Sequence, residues 1–461
     1  MTPRSLAFIT QATGGRLVGA DRMVDAVATD TRALPGGDAL FIALKGEQFD
    51  GHAHVQAAID GGCVAALVAR ELAIDAPQVV VADTERALAA FAAAVQRERS
   101  TTVLAITGSN GKTSVKTLLL SILQQVGSAY ASPGNRNNEI GLPLAVLDAP
   151  DDARFAVYEM GAGKPGDIAY LTEIAPPVVS LVNNIAPAHL ERMGSLLGIA
   201  GTKGAIYDAL PADGVAVVNA DDDFAAYFIE RVADRRVLRF GLDTAADVQA
   251  RDIRLDADGA RFVLAAPGGD IAIALPMPGR HNVRNALAVA AMALAVGASL
   301  DQVRAGLEAV QPVAGRLVAH ALRSGAVLVD DSYNANPGSL AAAIDTLANS
   351  VNEAWLVLGD MRELGADEIA LHARAGQQAK AAGIARLFAL GELSAHAVAA
   401  FGDGAQAFDS HDVLADALAA GLRPGVRVLV KGSRGSAMDR IVKALLQRDA
   451  AENGGGTTDA A

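Results

Sequence analysis

The 461-residue chain contains a single cysteine, Cys63, so no internal disulfide can form. A reducing compartment, the cytoplasm, is the expected location. Long apolar runs are also missing. The longest of note, 286–296, spans 11 residues, whereas a bilayer-crossing helix needs about 20, so it reads as a buried helix. The opening stretch MTPRSLAFITQATGG has too short an apolar run for a secretory signal, and none is expected. Positive charge is scarce: 39 Lys and Arg against 52 Asp and Glu leave a net charge of -13. That balance excludes a general nucleic-acid or anionic-membrane binder. No segment repeats at a solenoid period. The remaining profile, 51% hydrophobic and 20% charged, is that of a globular protein. Its length suggests about three domains and can bury a large core.

Residues 1–85 read as small α/β material. Strand candidates lie at 39–46 and 64–69, with a short helix at 54–63 between them. A helix over 84–100 leads into a second block, where strands at 155–160, 178–185 and 214–220 alternate with helices. Such alternation predicts a parallel, doubly wound sheet. Residues 247–275 differ. Period-2 stretches broken by Asp-Gly and Gly-Gly predict antiparallel hairpins, closed by a helix over 283–296. A third α/β block begins near Gly315, with strands expected at 326–333, 354–360, 386–391 and 426–432. The Gly/Thr-rich tail 451–461 is expected to be disordered.

One stretch carries chemistry. VLAITGSNGKTSVKTLLLSIL, 103–123, runs strand, glycine turn, helix. The usual phosphate loop reads G-x-x-x-x-G-K-[ST]. Gly111, Lys112 and Thr113 supply its end, but Ile106 stands where its first glycine belongs. The nearest upstream glycine is Gly108. The shortened form still gathers backbone N–H groups at a positive helix end. It keeps a lysine for the β- and γ-phosphates and a hydroxyl for Mg²⁺.

A second motif, GAGKPG at 161–166, matches the dinucleotide fingerprint G-x-G-x-x-G. That fingerprint needs an acidic residue at the end of the next strand, and Asn183-Asn184 stand there instead. Pro165 also fits helix packing poorly. The glycines read as a turn that leaves Glu159 at a strand tip, where a Mg²⁺ ligand is expected. His189 falls at the end of the following strand, on the same edge.

The motifs ITGSNGKTS, YEMGA, NIAPAHLE, TKGAIYDAL, PGRHNVRNALAV, GRL and DDSYNANPGS stand in the order found in the Mur ligase superfamily. These are the ATP-dependent amino-acid and peptide ligases of peptidoglycan synthesis. The chain resembles them over about residues 25–440, and the shortened loop is that superfamily's form. Four stretches resemble the branch that adds a dipeptide: SPGNRNNEIGLPLAVL (132–147), DDSYNANPGS, LGDMRELG (358–365) and LVKGSRG (429–435). The D-N-P-R signature of the diaminopimelate-adding branch is not found. Addition of a single amino acid, diaminopimelate or lysine, stays open as an alternative.

The resemblance implies an α/β chain of three domains. They would be an N-terminal UDP-substrate-binding domain (1–85), a central P-loop domain with an antiparallel annex (86–312) and a C-terminal Rossmann-like domain (313–450). It implies ATP, two Mg²⁺ ions, and D-alanyl-D-alanine joined to UDP-N-acetylmuramoyl-tripeptide through an acyl phosphate. The expected enzyme is a cytoplasmic monomer. Lys112 and the backbone of Gly108, Ser109, Asn110, Gly111, Thr113 and Ser114 would hold the phosphates. Thr113 and Glu159 would bind the first Mg²⁺. His189 would bind the second, joined by Lys203 as a carbamate; alternatively Lys203 is an ordinary lysine that pairs with substrate phosphate or carboxylate. Asn282 would meet adenine, Asp331 ribose, and Arg316 the phosphates from across the cleft. Lys112, His189 and Lys203 would be catalytic. Thr29, Asp30, Thr31, Arg32 and Lys45 match the uridine end of the substrate site. Asn137, Asn138, Asn334 and Asn336 are expected on substrate. His281 and Asn282 could instead cap the helix that follows. The chain departs from the family at Thr202, Ala205, Arg192-Met193 and Gly163-Lys164, which leaves peptide selectivity open. A decayed, non-catalytic ligase fold is disfavoured because Lys112, Thr113, Glu159, His189 and Lys203 are all present. A folate-type ligase is disfavoured because it would lack the N-terminal block.

Overall fold

The computed structural model describes residues 1–46, 49–187, 190–311, 313–349 and 353–451. Ala451 ends the last helix, and the rest of the expected tail lies outside the described residues, as does His189.

Among the described residues, four sheets form: nine-, six-, five- and two-stranded. In the nine-stranded sheet, the phosphate-loop strand Thr102–Thr107 lies between Phe155–Glu159 and Val179–Val182, parallel to both. Apart from Thr102 at one edge, these strands are buried throughout and rich in Val, Leu, Ile and Ala, as a sheet covered on both faces requires. The chain first builds to one side of Thr102–Thr107 and then crosses to the other. The loop therefore sits at the point where winding reverses, the crevice in which open α/β sheets bind ligands. Three further parallel strands, Val215–Asn219, Arg236–Gly241 and Val248–Leu255, lead to the antiparallel annex Ala260–Ala266 and Gly269–Leu275.

Two differences from the expected elements have physical causes. The strand expected over 178–185 stops at Val182, because Asn183 and Asn184 turn their amides to the phosphate loop. Arg236–Gly241 was not among the expected strands. Its arginines at 236 and 239 break the apolar run, yet it pairs in register with Val215–Asn219.

The C-terminal six-stranded sheet is parallel except for Val318–Ala321. Val426–Lys431 lies between Val327–Asp331 and Glu353–Gly359, so the loops after these three strands share one edge. The apolar clusters of this sheet draw only on residues from 317 onward. The N-terminal five-stranded sheet is different. Its core runs without a break into the central block, and the helix Thr84–Glu98 packs against helices on both sides of it.

The helix Lys112–Leu123, which follows the phosphate loop, is held from behind by the helix Leu300–Glu308. Ser121 Oγ donates to the Gly306 carbonyl at 2.7 Å. A Cβ on Gly306 would fall 2.4 Å from Ile122 Cα, and backbone cannot swing aside as a side chain can. We predict that Gly306→Ala destabilises the protein by about 1–3 kcal/mol by overpacking, outweighing alanine's helix preference of about 1 kcal/mol. Urea unfolding measures this, and an unchanged or raised midpoint would contradict the helix contact.

Candidate active site

The phosphate loop is held by side-chain amides. Ser109 N–H donates to the Asn184 carbonyl (2.9 Å) and Asn110 N–H to Asn184 Oδ1 (2.8 Å). The Asn110 carbonyl accepts from Asn183 Nδ2 (3.0 Å) and Asn184 Nδ2 (3.1 Å). Gly111 has φ +79°, and a Cβ there would fall 2.7 Å from Asn183 Nδ2. Conformation and space both demand glycine. No side chain caps the helix that starts at Lys112, so its first N–H groups remain available to an anion.

Behind the loop lies a buried charge cluster. Glu159, at its strand tip, is 2% exposed. Its Oε2 accepts from Thr113 Oγ1 (3.0 Å) and its Oε1 from Asn137 Nδ2 (2.8 Å). Lys116 Nζ lies 3.4 Å away and also donates to the carbonyls of Ser132 and Gly134, both at 2.8 Å. Burial pushes the Glu159 carboxyl up, but Lys112, Lys116 and the two hydrogen bonds overcome it and hold it below the ordinary carboxylate range. Burial lowers both lysines from their ordinary range. Lys112 Nζ donates to the Gly108 carbonyl at 2.7 Å, folded back onto its own loop.

The donor set suits Mg²⁺: a hydroxyl and an ionised carboxylate in contact at one wall of the cleft. The neighbouring lysine charges favour a cation that arrives with phosphate oxygens. Among the described residues, no three His, Cys, Asp or Glu side chains cluster as a metal cage.

The C-terminal sheet closes the other wall. Arg316 Nη2 donates to Thr113 Oγ1 at 2.9 Å, and Asn336 Nδ2 to Asn110 Oδ1 at 2.6 Å. The intervening cleft has a volume of about 820 Å³, within the range of small-molecule sites. Ser109 to Ser114, Asn137, Asn138, Glu159, Asn282, Arg316, Asp331, Asn334 and Asn336 all line it. Asp331 is buried with Lys431 at 2.6 Å; burial pushes its carboxyl up, and the lysine opposes this. Asn282 does not cap its helix. That helix, Arg280–Ala295, begins after Gly279, and Asn282 Nδ2 donates to the Pro278 carbonyl at 2.8 Å.

Other expected residues are not on this wall. Thr29, Asp30, Thr31, Arg32 and Lys45 contribute nothing to the lining of the cleft, and Arg32 pairs with Asp30 at 2.6 Å. Lys203 is 2% exposed and stands behind the lining, close enough to Lys112 for their charges to repel. Burial and that repulsion push its ammonium down to about 7.

Sequence reasoning missed Lys116, Asn183 and Asn184. Lys116 follows Lys112 by four residues, one helical turn, and that spacing could have placed both beside one strand tip.

Two family models match, the Mur ligase middle domain over residues 106–293 and the Mur ligase glutamate ligase domain over 315–434. The UDP-N-acetylmuramoyl-tripeptide–D-alanyl-D-alanine ligase of Escherichia coli strain K12 is 43% identical over 444 residues, 96% of this chain and 98% of that one. The chain belongs to the Mur ligase family. Among solved structures, MurF from Acinetobacter baumannii superposes with a TM-score of 0.92 at 33% identity, covering 97% of this chain and 99% of that one. MurF ligase from Thermotoga maritima, in complex with ADP, gives 0.84 at 26% identity and covers 93% and 99%.

His281 lines the same cleft. Burial, then Lys431 and Arg284, hold its imidazole at about 4, below the ordinary 6.5. Between those values the unfolded chain binds a proton that the folded chain does not. Stability therefore falls as pH drops from 6.5 to 4 and levels off below. We predict that His281→Gln flattens this part of the stability–pH curve while leaving stability above pH 7 within about 1 kcal/mol. Thermal unfolding across the range checks it; an unchanged slope would contradict the assignment.

Proposed function

We infer that this chain is an ATP-dependent carbon–nitrogen ligase that adds D-alanyl-D-alanine to UDP-N-acetylmuramoyl-tripeptide, a step of peptidoglycan synthesis. The observation that carries this is likeness along nearly the full chain to the Escherichia coli enzyme, 43% over 96% of the residues. ATP binding accords with the phosphate loop and with the ADP complex of the Thermotoga maritima relative. We place the reaction in the cytoplasm, where both nucleotides are made. No helix among the described residues is long and apolar enough to cross a membrane.

The residue roles are our assignments. A carboxylate is a poor acyl donor. Transfer of the γ-phosphate to it gives an acyl phosphate and ADP. The dipeptide amine then attacks the acyl carbon: the C–N bond forms, the C–O bond to phosphate breaks, and the amine releases a proton. Lys112 and the first-turn N–H groups neutralise charge that develops on the transferred phosphoryl group. Arg316 serves the same charge from the facing wall. Its contact with Thr113 means the two walls must be closed for it to act. Thr113 and Glu159 would hold a Mg²⁺ ion, which supplies further charge neutralisation at the phosphates. Asn282 is assigned to adenine, Asp331 to ribose, and Thr29 to Arg32 with Lys45 to the uridine end. Asn137, Asn138, Asn334 and Asn336 are assigned to the peptide substrates. The chain divides at 85 and 312 into the three domains proposed above.

Lys203 has no hydrogen-bond or ion-pair partner among the described residues and an ammonium lowered to about 7. At neutral pH much of it is therefore free amine. A free amine can add CO₂, forming an N–C bond and releasing a proton. The resulting carbamate would be an oxygen donor for a second Mg²⁺, together with His189 as the family pattern implies. We expect formate or acetate to restore part of the activity lost in Lys203→Ala. Rescue by a small alkylamine alone would show instead that a cation was needed there.

The primary test is phosphate release with ATP and UDP-N-acetylmuramoyl-tripeptide, with and without D-alanyl-D-alanine. We expect dipeptide-dependent release. Lys112→Ala should lower it by about 3 kcal/mol or more in transition-state stabilisation while the fold stays intact. Unaltered turnover in that variant would remove the phosphate assignment.

A further inference from the structure

Two lysines stand one turn apart on the helix Lys112–Leu123, and the ligase reading uses only the first. Lys112 folds back onto the phosphate loop. Lys116 has no part in that chemistry, yet its side chain is only 6% exposed. Its neighbours Val115, Leu118 and Leu119 are buried and apolar. A leucine or methionine at 116 would serve packing there without the desolvation cost of a buried charge.

The ammonium has three oxygen neighbours: the carbonyls of Ser132 and Gly134, both at 2.8 Å, and Glu159 Oε2 at 3.4 Å. An ammonium carries three N–H donors and no acceptor. The oxygen set therefore matches the charged form donor for donor, whereas a neutral amine would leave one oxygen unserved. Among the described residues no other donor reaches either carbonyl.

The segment that owns those carbonyls gives the contact its purpose. Residues 132–140 join the strand Ala129–Ala131 to the helix Gly141–Asp148 and have no regular structure of their own. Asn135, Asn137, Asn138 and Glu139 of this segment line the cleft. Its far half is tied to the neighbouring strand tip. Asn137 Nδ2 donates to Glu159 Oε1 (2.8 Å), and the Asn137 carbonyl accepts from Gly161 N–H (2.7 Å). Its near half bends at Gly134, which has φ +54° and where a Cβ would meet nothing within 4 Å. That side of the bend is not packed, and the Lys116 ammonium draws the two carbonyls to one point. Two carbonyls and a carboxylate around one positive centre are the ligands of a monovalent cation site, since carbonyl oxygens can replace the hydration shell of K⁺.

We propose that Lys116 is a tethered monovalent cation. Its ammonium fills a cation site made by Ser132, Gly134 and Glu159, and so holds the segment 132–140 in the form that receives the tripeptide end of the UDP-substrate. It is a positioning residue, because it acts on the cleft only through that segment and Glu159. The role of the segment rests on the ligase reading; the cation site itself does not.

Cutting the tether separates charge from packing. Lys116→Ala opens the site, and Gly134 is exposed, so a small cation can enter from solvent. Lys116→Met fills most of the space of the lysine stem and leaves no room for an ion. Both full-length variants and wild type are compared in choline chloride, with K⁺, NH₄⁺ or methylammonium exchanged for choline at constant ionic strength. Calorimetry reads the affinity for UDP-N-acetylmuramoyl-tripeptide without ATP or Mg²⁺, and thermal unfolding reads the midpoint. In choline both variants should bind the UDP-substrate about 10- to 100-fold more weakly than wild type, the range for a lost hydrogen bond to a charged group. K⁺ or NH₄⁺ should return about fivefold or more of that affinity to Lys116→Ala and raise its midpoint by about 2 °C or more. Wild type, whose site is filled, and Lys116→Met should change by less than about twofold in affinity.

No recovery in Lys116→Ala with any small cation would overturn the proposal. Equal recovery in Lys116→Met would overturn it as well, since a general salt effect predicts that, and so would wild-type affinity of both variants in choline. Should Lys116→Ala be unfolded in choline, refolding on addition of K⁺, seen by circular dichroism, supports the site, and failure to refold overturns it. If wild type itself does not bind the UDP-substrate, the ligase reading falls, and the midpoint of Lys116→Ala with and without K⁺ still decides the cation site.

Discussion

Asn110 is bound at its backbone N–H, its carbonyl and its side-chain oxygen. Its N–H and carbonyl are held by Asn183 and Asn184, and its side-chain oxygen by Asn336 of the C-terminal sheet. A glycine-rich loop has no conformation of its own to keep. The flanking glycines supply freedom that these amides then remove. The first-turn N–H groups of Lys112–Leu123 thereby face one point. The same residue joins the two walls of the cleft, so the order of the phosphate loop and closure of the cleft share one set of hydrogen bonds.

Charge is distributed against the average. The chain carries a net charge of -13, yet Lys112, Lys116 and Arg316 converge around Glu159 and its partner Thr113. Among the described residues, Glu159 is the carboxylate whose charge opposes the effect of burial on Lys112 and Lys116. Such a local excess draws phosphate in an otherwise acidic molecule. Lys116 has a further task. By bonding to the carbonyls of Ser132 and Gly134 it fixes the loop that carries Asn137 and Asn138 beside the same carboxylate.

Much of this was legible because it is local. A β-branched run, a glycine turn and a helical period over 103–123 announce an anion site before any tertiary contact is known, and Glu159 follows from its place at a strand tip. Asn183 and Asn184 were misread as strand, since hydropathy does not register an amide that serves a neighbouring loop. Arg236–Gly241 escaped because its pairing partners, not its own pattern, make it a strand. Arg362 and Arg434, on the C-terminal wall of the cleft, stand within the quoted motifs LGDMRELG and LVKGSRG, but hydropathy and period attach no role to either. Exposed arginines are common, and only the adjacency of three strand tips, set by long-range pairing, brings these two together. His189 lies outside the described residues, and its role rests on the family pattern.

The cleft is assembled from the edges of two sheets whose apolar cores do not mix. One wall carries the phosphate loop, and the other carries the loops after Asp331, Gly359 and Lys431. Packing in one core places no demand on residue choice in the other. The tips of the C-terminal sheet can therefore drift in sequence while the energy-coupling half stays unchanged. A scaffold divided in this way lets a lineage acquire a new nucleophile by altering loops alone, which is a structural route to a family of ligases that share one phosphate chemistry.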